Sequence, residues 1–86
     1  MQKVTIYTRP MCGFCARALK LLKQKGAELS EIAAGFDKAK RDEMVARSNG
    51  RNTFPQIFIG DAHVGGCDEL FALERAGDLD RLLNGG

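Results

Sequence analysis

The stretch Lys3–Cys15, which reads KVTIYTRPMCGFC, decides the fold of this chain because a strand runs into a helix there. Residues Lys3–Thr8 alternate in the manner of a β-strand, and Ala16–Lys25 has the apolar spacing of an amphipathic helix. The pair Cys12 and Cys15 therefore lies at a strand-to-helix junction. A Cys-x-x-Cys motif at such a junction in a small protein indicates thiol–disulfide redox chemistry.

The two cysteines are predicted to have different roles because of their places on the helix. Cys12 precedes the helix, where unpaired backbone N–H groups and the helix dipole favour a thiolate, and Arg9 adds positive charge. Cys15 lies in the first turn on the inward side, where it is less accessible. We therefore predict that Cys12 is the nucleophile and that Cys15 resolves a disulfide formed by Cys12. The alternative is a chance pairing of two buried cysteines, against which the strand-to-helix position argues.

Length, charge and cysteine count narrow the class of protein. The 86 residues, 44% of them hydrophobic, predict a single domain, residues 1–86. A net charge of +2, with 13 basic and 11 acidic residues interleaved, argues against binding to nucleic acid. No apolar run is long enough for a membrane, and Met1-Gln2-Lys3 leads into the first strand without a secretory signal. Three cysteines, an odd number, favour a reducing compartment, which predicts a cytoplasmic location.

Four helices are predicted from apolar periodicity and from residues that favour helix ends. The first runs over 13–25 and ends at Gly26, with Cys15, Ala18, Leu19 and Leu22 on its inner face. The others are a helix capped by Asp37 that runs to Ser48 and ends at Asn49-Gly50, a helix capped by Asp68 that ends at Gly77, and a short helix capped by Asp78.

Three further segments are predicted to be strands. One covers residues 27–32, and two more, Gln56–Ile59 and 62–64, flank Gly60-Asp61, which is a two-residue hairpin turn. The resulting order β-α-β-α-β-β-α predicts an α/β protein with a four-stranded mixed sheet. A βαβ unit comes first, a ββα unit follows, and helices flank the sheet.

Two short segments carry residues suited to binding a ligand. In Thr53-Phe54-Pro55 the proline lies at the start of a strand. Two interpretations remain possible: Pro55 simply begins the strand, or its peptide bond is cis and turns the Phe54 backbone outward to pair with a ligand. In Gly65-Gly66-Cys67-Asp68 the glycines permit a close approach of the backbone to a ligand. Asp68 is predicted to cap the helix whose N–H groups suit a carboxylate, and its own carboxylate suits an ammonium group. Cys67 is predicted to be a small, half-buried residue and not a third catalytic thiol.

A structural zinc site is an alternative use of the same residues. Cys12, Cys15, His63 and Cys67 are ligand types at plausible spacings. The first pair, however, opens a long amphipathic helix, and His63 lies in an alternating strand that sets its side-chain direction. The chain also has enough apolar residues to fold without a metal, so the prediction is that no metal site is present.

Taken together, three motifs resemble the glutaredoxins, and they do so over nearly the full length of the chain. The motifs are Thr8-Arg9 ahead of Cys12-Gly13-Phe14-Cys15, then Thr53-Phe54-Pro55, and then Gly65-Gly66-Cys67-Asp68. The segments 40–44 and 55–59 resemble the bacterial dithiol class in particular. This resemblance implies a thioredoxin-like fold, glutathione as cosubstrate, and reduction of glutathionylated proteins and protein disulfides.

The resemblance also implies a role for each matching residue. Cys12 carries glutathione and Cys15 is the resolving thiol. Arg9 occupies the position of the family's basic residue near the glycine carboxylate of glutathione. Phe54, before a cis Pro55, resembles the residue whose backbone pairs with the cysteine of glutathione. The remaining binding residues implied are Phe14 and Thr53 along the groove, and Gly66, Cys67 and Asp68 at the γ-glutamyl end.

The chain departs from the usual dithiol pattern Cys-Pro-Tyr-Cys at Gly13 and Phe14, and it has Phe54 where valine is usual. Cys12-Gly13-Phe14 is how the monothiol branch that binds iron–sulfur clusters begins. The alternative function is therefore a homodimer that bridges one [2Fe-2S] cluster through two Cys12 thiolates and two glutathiones. Without a cluster, a monomer with no tightly bound cofactor is expected. Thioredoxin itself is disfavoured, since Arg9 and the segment before Asp68 suit a charged tripeptide.

Overall fold

Four strands form one mixed sheet in the computed structural model, which describes residues 1–85. The elements in chain order are β1 Lys3–Thr8, α1 Gly13–Gln24, β2 Glu28–Ala33, α2 Lys38–Arg47, β3 Gln56–Ile59, β4 Ala62–Gly65, α3 Cys67–Ala76 and α4 Leu79–Leu83. The spatial order of strands is β2-β1-β3-β4. β1 is parallel to β2 and antiparallel to β3, and β3 and β4 form an antiparallel hairpin. The predicted βαβ and ββα units are confirmed; Gly86, the last residue of the predicted domain, lies outside the described residues.

The sheet is covered on both faces because β1 has apolar side chains on both of its faces. Val4 and Ile6 are fully buried in a cluster with residues of α1, α3 and α4. Tyr7 points to the opposite face, as alternation along a strand requires, and packs with Met44 of α2 and Phe58 of β3. Two helical layers therefore enclose the sheet. Within residues 1–85, no helix combines the length and the apolar character needed to cross a bilayer.

The inner face of α1 is broader than its sequence pattern predicts. Cys15, Ala18 and Leu22 are buried as expected, but Leu21 is buried as well and Leu19 is only half-buried. Leu19 packs against the same core cluster, so it belongs to the inner face as predicted, while the predicted set did not include Leu21. The physical reason is that α1 packs against α3 in addition to the sheet, which widens the buried stripe toward Leu21.

The end of α1 and both ends of α2 follow the predicted signals. The backbone N–H of Lys40 donates to the Asp37 side chain at 3.1 Å, which caps α2. Asn49 and Gly50, with φ of 58° and 97°, end α2 in the left-handed region. Gly26, with φ of 72°, does the same for α1. These local signals act through hydrogen bonds and backbone sterics that need no tertiary contact.

The start of α3 corrects a prediction. Gly66 occupies the N-cap position, and the carboxylate of Glu69 accepts a hydrogen bond from the Gly66 N–H at 2.6 Å. Asp68 lies exposed inside the first turn and does not cap the helix. The helix begins earlier because Cys67 is buried against the apolar cluster, which draws Cys67 into the first turn.

We expect the core to respond to a cavity at Leu22 more strongly than at Leu19. Leu22→Ala removes a fully buried side chain and should lower the free energy of unfolding by about 2–5 kcal/mol. Leu19→Ala on the same helix is the matched control and should lose roughly half as much, because its side chain is already partly in water. Urea titration of the two variants measures the difference; equal losses would contradict the packing described for α1.

Candidate active site

The three motifs meet at one end of the sheet because of the strand directions. β1 ends at Thr8, and its neighbour β3 starts at that same end, where Tyr7 lies opposite Gln56. β4 returns to this end as well, since Gly65 lies opposite Ile57. The loops that follow β1, precede β3 and follow β4 are therefore neighbours. These loops carry Cys12, the segment before Gln56 and the segment after Gly65.

The cysteine pair occupies the N-terminus of α1. Cys12 is the N-cap residue, and its Sγ accepts a hydrogen bond from the backbone N–H of Cys15 at 3.1 Å. Cys12 is partly exposed, whereas Cys15 is 3% exposed. The two are joined by a disulfide across a Cα–Cα distance of 5.2 Å, so the structure describes the oxidised form. Once reduced, Cys12 would retain both access to solvent and an N–H donor for its thiolate.

A groove begins at Phe14, two residues after Cys12, and its empty volume is about 390 Å³ with open solvent included. Its walls contain seven of the predicted binding residues, namely Phe14, Thr53, Phe54, Pro55, Gly66, Cys67 and Asp68. The peptide bond between Phe54 and Pro55 is cis. The segments that carry Pro55 and Gly66 lie side by side, since a Cβ on Gly66 would sit 3.4 Å from the Pro55 carbonyl oxygen, an ordinary van der Waals distance.

Arg9 lies apart from these seven residues. It is exposed and lines a different, shallow hollow, together with Cys12, Cys15 and Glu31. Gly35 packs beneath it, where a Cβ would come within 2.7 Å of the Arg9 Cβ. The groove and the hollow thus flank Cys12, and Arg9 belongs to the hollow.

Sequence reasoning missed two charged residues of the groove, Arg51 and Glu69. The Arg51 guanidinium lies 3.2 Å from the Glu69 carboxylate, and each side chain is nearly half exposed. Hydrogen bonds from the Gly66 N–H and then from Arg51 hold the pKa of Glu69 below its ordinary value. Arg51 lies in a stretch without periodicity, so only its closeness to Thr53 in the chain signalled a role.

Cys67 and His63, two of the residues considered for a zinc site, lie in separate packed surroundings. Cys67 is 6% exposed, more buried than predicted, and this burial raises the pKa of its thiol. The His63 Nε2 lies 2.8 Å from the Gln56 Oε1, and its ring stacks on Phe58. Within residues 1–85 there is no group of three or more His, Cys, Asp or Glu side chains that could hold a metal ion.

A cysteine pair at a helix N-terminus, placed at the end of a mixed sheet, defines a thiol–disulfide oxidoreductase. The family model named Glutaredoxin matches residues 4–64. The chain is 51% identical to glutaredoxin 3 of Escherichia coli over 83 residues. The alignment covers 96% of this chain and 99% of that protein. This protein belongs to the glutaredoxin family.

Solved structures agree on both fold and family. The solution structure of a glutaredoxin from Brucella melitensis is 61% identical, superposes with a TM-score of 0.83 and covers 96% of this chain and 89% of that one. A buckwheat glutaredoxin–glutathione complex is 30% identical, with a TM-score of 0.85 and coverage of 96% and 77%. The predicted thioredoxin-like fold is confirmed.

The contact between Glu69 and Gly66 predicts a specific pH dependence of stability. The Glu69 pKa lies below its ordinary 4.5 in the folded protein, so the ionised form is the one that folding favours. The stabilisation is therefore complete above about pH 4.5 and is lost as the pH falls through the lower, folded-state pKa. In Glu69→Gln the hydrogen bond from Gly66 persists but the charge is gone.

We expect wild type to be more stable than Glu69→Gln near neutral pH, and this advantage to shrink as the pH falls below 4.5 and through the folded-state pKa of Glu69. Denaturant titrations at a series of pH values measure it, with Glu28→Gln on the exposed edge strand β2 as the control for removing a surface carboxylate. An advantage that stayed constant or grew in acid would contradict the assigned contact.

Proposed function

We propose that this protein reduces glutathione mixed disulfides with Cys12 alone and protein disulfides with Cys12 and Cys15 together. The observation that carries the proposal is the position of Cys12. Cys12 is partly exposed at the N-terminus of α1, and Phe14, two residues further along, lines a groove that also reaches the first residues of α3. A nucleophilic thiol and a site for a charged tripeptide are thus adjacent.

The groove offers complementary groups for glutathione along its length. The first amides of α3, at Cys67 and Asp68, have no partner within the helix and suit the α-carboxylate of the γ-glutamyl end. The exposed Asp68 carboxylate suits its ammonium group. Phe14, Thr53 and Phe54 also line the groove, and the Phe54 backbone would pair with the cysteine of glutathione.

Two arginines are candidates to bind a carboxylate of glutathione: Arg9 in the hollow beside Cys12, and Arg51 next to Glu69 and Gly66 in the groove. Arg9 was assigned from the family resemblance, whereas Arg51 lines the groove itself. The contact of Arg51 with Glu69 is an exposed ion pair of small net energy, so it leaves Arg51 able to bind an anion as well. We therefore propose that Arg51 contributes more than Arg9 to the binding of glutathione.

The reaction consists of two thiol–disulfide exchanges. The Cys12 thiolate attacks the glutathionyl sulfur of the substrate, an S–S bond forms between Cys12 and glutathione, and the substrate thiolate leaves and takes a proton from water. The thiolate of a second glutathione then attacks the sulfur on Cys12. Oxidised glutathione is released, the Cys12 thiolate is restored, and two electrons have passed from glutathione to the substrate.

Protein disulfides require the second cysteine. Cys12 first forms a mixed disulfide with the protein, and Cys15 then attacks Cys12 to release the reduced protein. The product is the Cys12–Cys15 disulfide, which two glutathiones reduce. The short Cα–Cα distance of 5.2 Å lies within the ordinary range for this bond. We further propose that the protein acts as a monomer in the cytoplasm on glutathionylated proteins.

Substitution of each cysteine in turn should distinguish the route that uses Cys12 alone from the route that uses both cysteines. Cys15→Ser should retain turnover of a glutathionylated peptide, within about three-fold of wild type, and lose reduction of a protein disulfide, because only the second route uses Cys15. Cys12→Ser should abolish both. Glutathione-dependent turnover of the peptide and insulin reduction measure the two routes; loss of peptide turnover in Cys15→Ser would contradict this division of roles.

The same preparation tests the alternative function, a homodimer bridging a [2Fe-2S] cluster through Cys12. Wild type purified anaerobically with glutathione should be colourless and monomeric. No turnover, together with a brown dimer that Cys12→Ser fails to form, would replace the enzyme proposal by the cluster-bridging one.

Substitutions at the two arginines should rank their contributions to glutathione binding. Arg51→Met should raise the KM for a glutathionylated peptide by about three- to ten-fold and leave kcat nearly unchanged, since a charge-assisted hydrogen bond is lost. Arg9→Met should have the smaller effect. Arg75→Met, in the last turn of α3, is the control for charge alone. A larger effect at Arg9 than at Arg51 would reverse the assignment.

A further inference from the structure

A fully buried amide, Gln56, lies behind the groove and is hydrogen-bonded at both of its ends. Its Nε2 donates to the backbone carbonyl of Thr53 and to the Thr53 Oγ1, both at 3.0 Å. Its Oε1 lies 2.8 Å from the Nε2 of His63 on β4. Gln56 is 0% exposed, so these bonds form out of contact with water. Both ends of this buried amide are thus satisfied, and they join His63 on β4 to Thr53 on the groove.

The backbone carbonyl of Thr53 determines which group donates and which accepts in the hydrogen bonds that join His63, Gln56 and Thr53. A carbonyl oxygen can only accept, so the nitrogen end of the Gln56 amide must face Thr53. The oxygen end then faces His63, which must carry its proton on Nε2 in order to donate. The order of donation is therefore from His63 to Gln56 and from Gln56 to Thr53.

The Thr53 hydroxyl accepts from Gln56, so its own proton is free to point elsewhere. Thr53 is exposed and lines the groove. We propose that His63 and Gln56 are positioning residues that orient the Thr53 hydroxyl as a hydrogen-bond donor to an acceptor oxygen of the bound glutathionyl group. This inference rests on the proposed function and adds two residues to it that do not line the groove.

The surroundings hold His63 in the orientation that this role requires. Its ring stacks on Phe58 with centroids 4.9 Å apart and an angle of 28° between the planes. Phe58 in turn meets the ring of Tyr7 edge to face, at 5.8 Å. Burial, and secondly the charge of Arg51, lower the pKa of His63, so the neutral ring with one N–H donor is favoured near neutral pH.

Two substitutions interrupt the chain of hydrogen bonds at different places. Gln56→Met replaces the amide by an apolar side chain of similar shape, and His63→Phe keeps a ring to stack on Phe58 but removes the N–H donor. Each should raise the KM for a glutathionylated peptide by about three- to ten-fold and leave kcat within about two-fold, since binding is weakened and chemistry is not. Gln24→Met, at the exposed end of α1, is the matched control.

A double-mutant cycle tests whether the two residues act through the Thr53 hydroxyl. In a Thr53→Val background, Gln56→Met should change KM by less than about two-fold, because the hydroxyl that it orients is already absent. Stability of each variant is followed by urea titration. If Gln56→Met does not fold, the same cycle is carried out with His63→Phe in place of Gln56→Met, in the wild-type and Thr53→Val backgrounds.

The outcomes separate this inference from the proposed function. Unchanged KM in folded variants of an active wild type would overturn the positioning role and leave the proposed function intact. Equal effects of Gln56→Met in both backgrounds would overturn it too, since the residue would then act by another route. A wild type with no glutathione-dependent turnover would overturn both.

Discussion

The structure depends on one constraint, the burial of β1 on both faces in the middle of the sheet. Val4 and Ile6 on one face and Tyr7 on the other cannot all be shielded unless helices cover both sides. A strand in this position must also pair along both edges, in parallel with β2 and antiparallel with β3. The positions of the loops, and with them the site, follow from these pairings.

Main-chain groups at the ends of helices form much of the candidate site, and few of its residues are charged. Two helix N-termini, those of α1 and α3, present N–H groups at the site, and in the proposed function these groups bind the Cys12 thiolate and a carboxylate of the ligand. Glu69 accepts from the Gly66 N–H, so the proposal assigns the next amides of α3 to the ligand. Main-chain groups of this kind are oriented by the hydrogen bonds of their own helices.

The particular residues show why the sequence could predict some features and not others. Asp37 capped its helix as predicted because an N-cap acts within one turn of the chain. Asp68 had the same local appearance, but the packing of Cys67 started the helix earlier and gave the N-terminal contact to Glu69. Leu21 was missed for a related reason, because a second helix, α3, lies beside α1. Arg51 had no periodic or motif context, and only the folded chain places it on the groove.

The sequence by itself determined the order of elements and the place of the cysteine pair at the junction of β1 and α1. These follow from alternation, helical spacing and capping, which act over a few residues and survive any arrangement of the rest of the chain. Only the tertiary structure decided which arginine faces the groove, where α3 begins and how Gln56 connects His63 to Thr53. Those features depend on strand register and on packing between segments distant in sequence, and a one-residue change in register would turn each side chain to the other face.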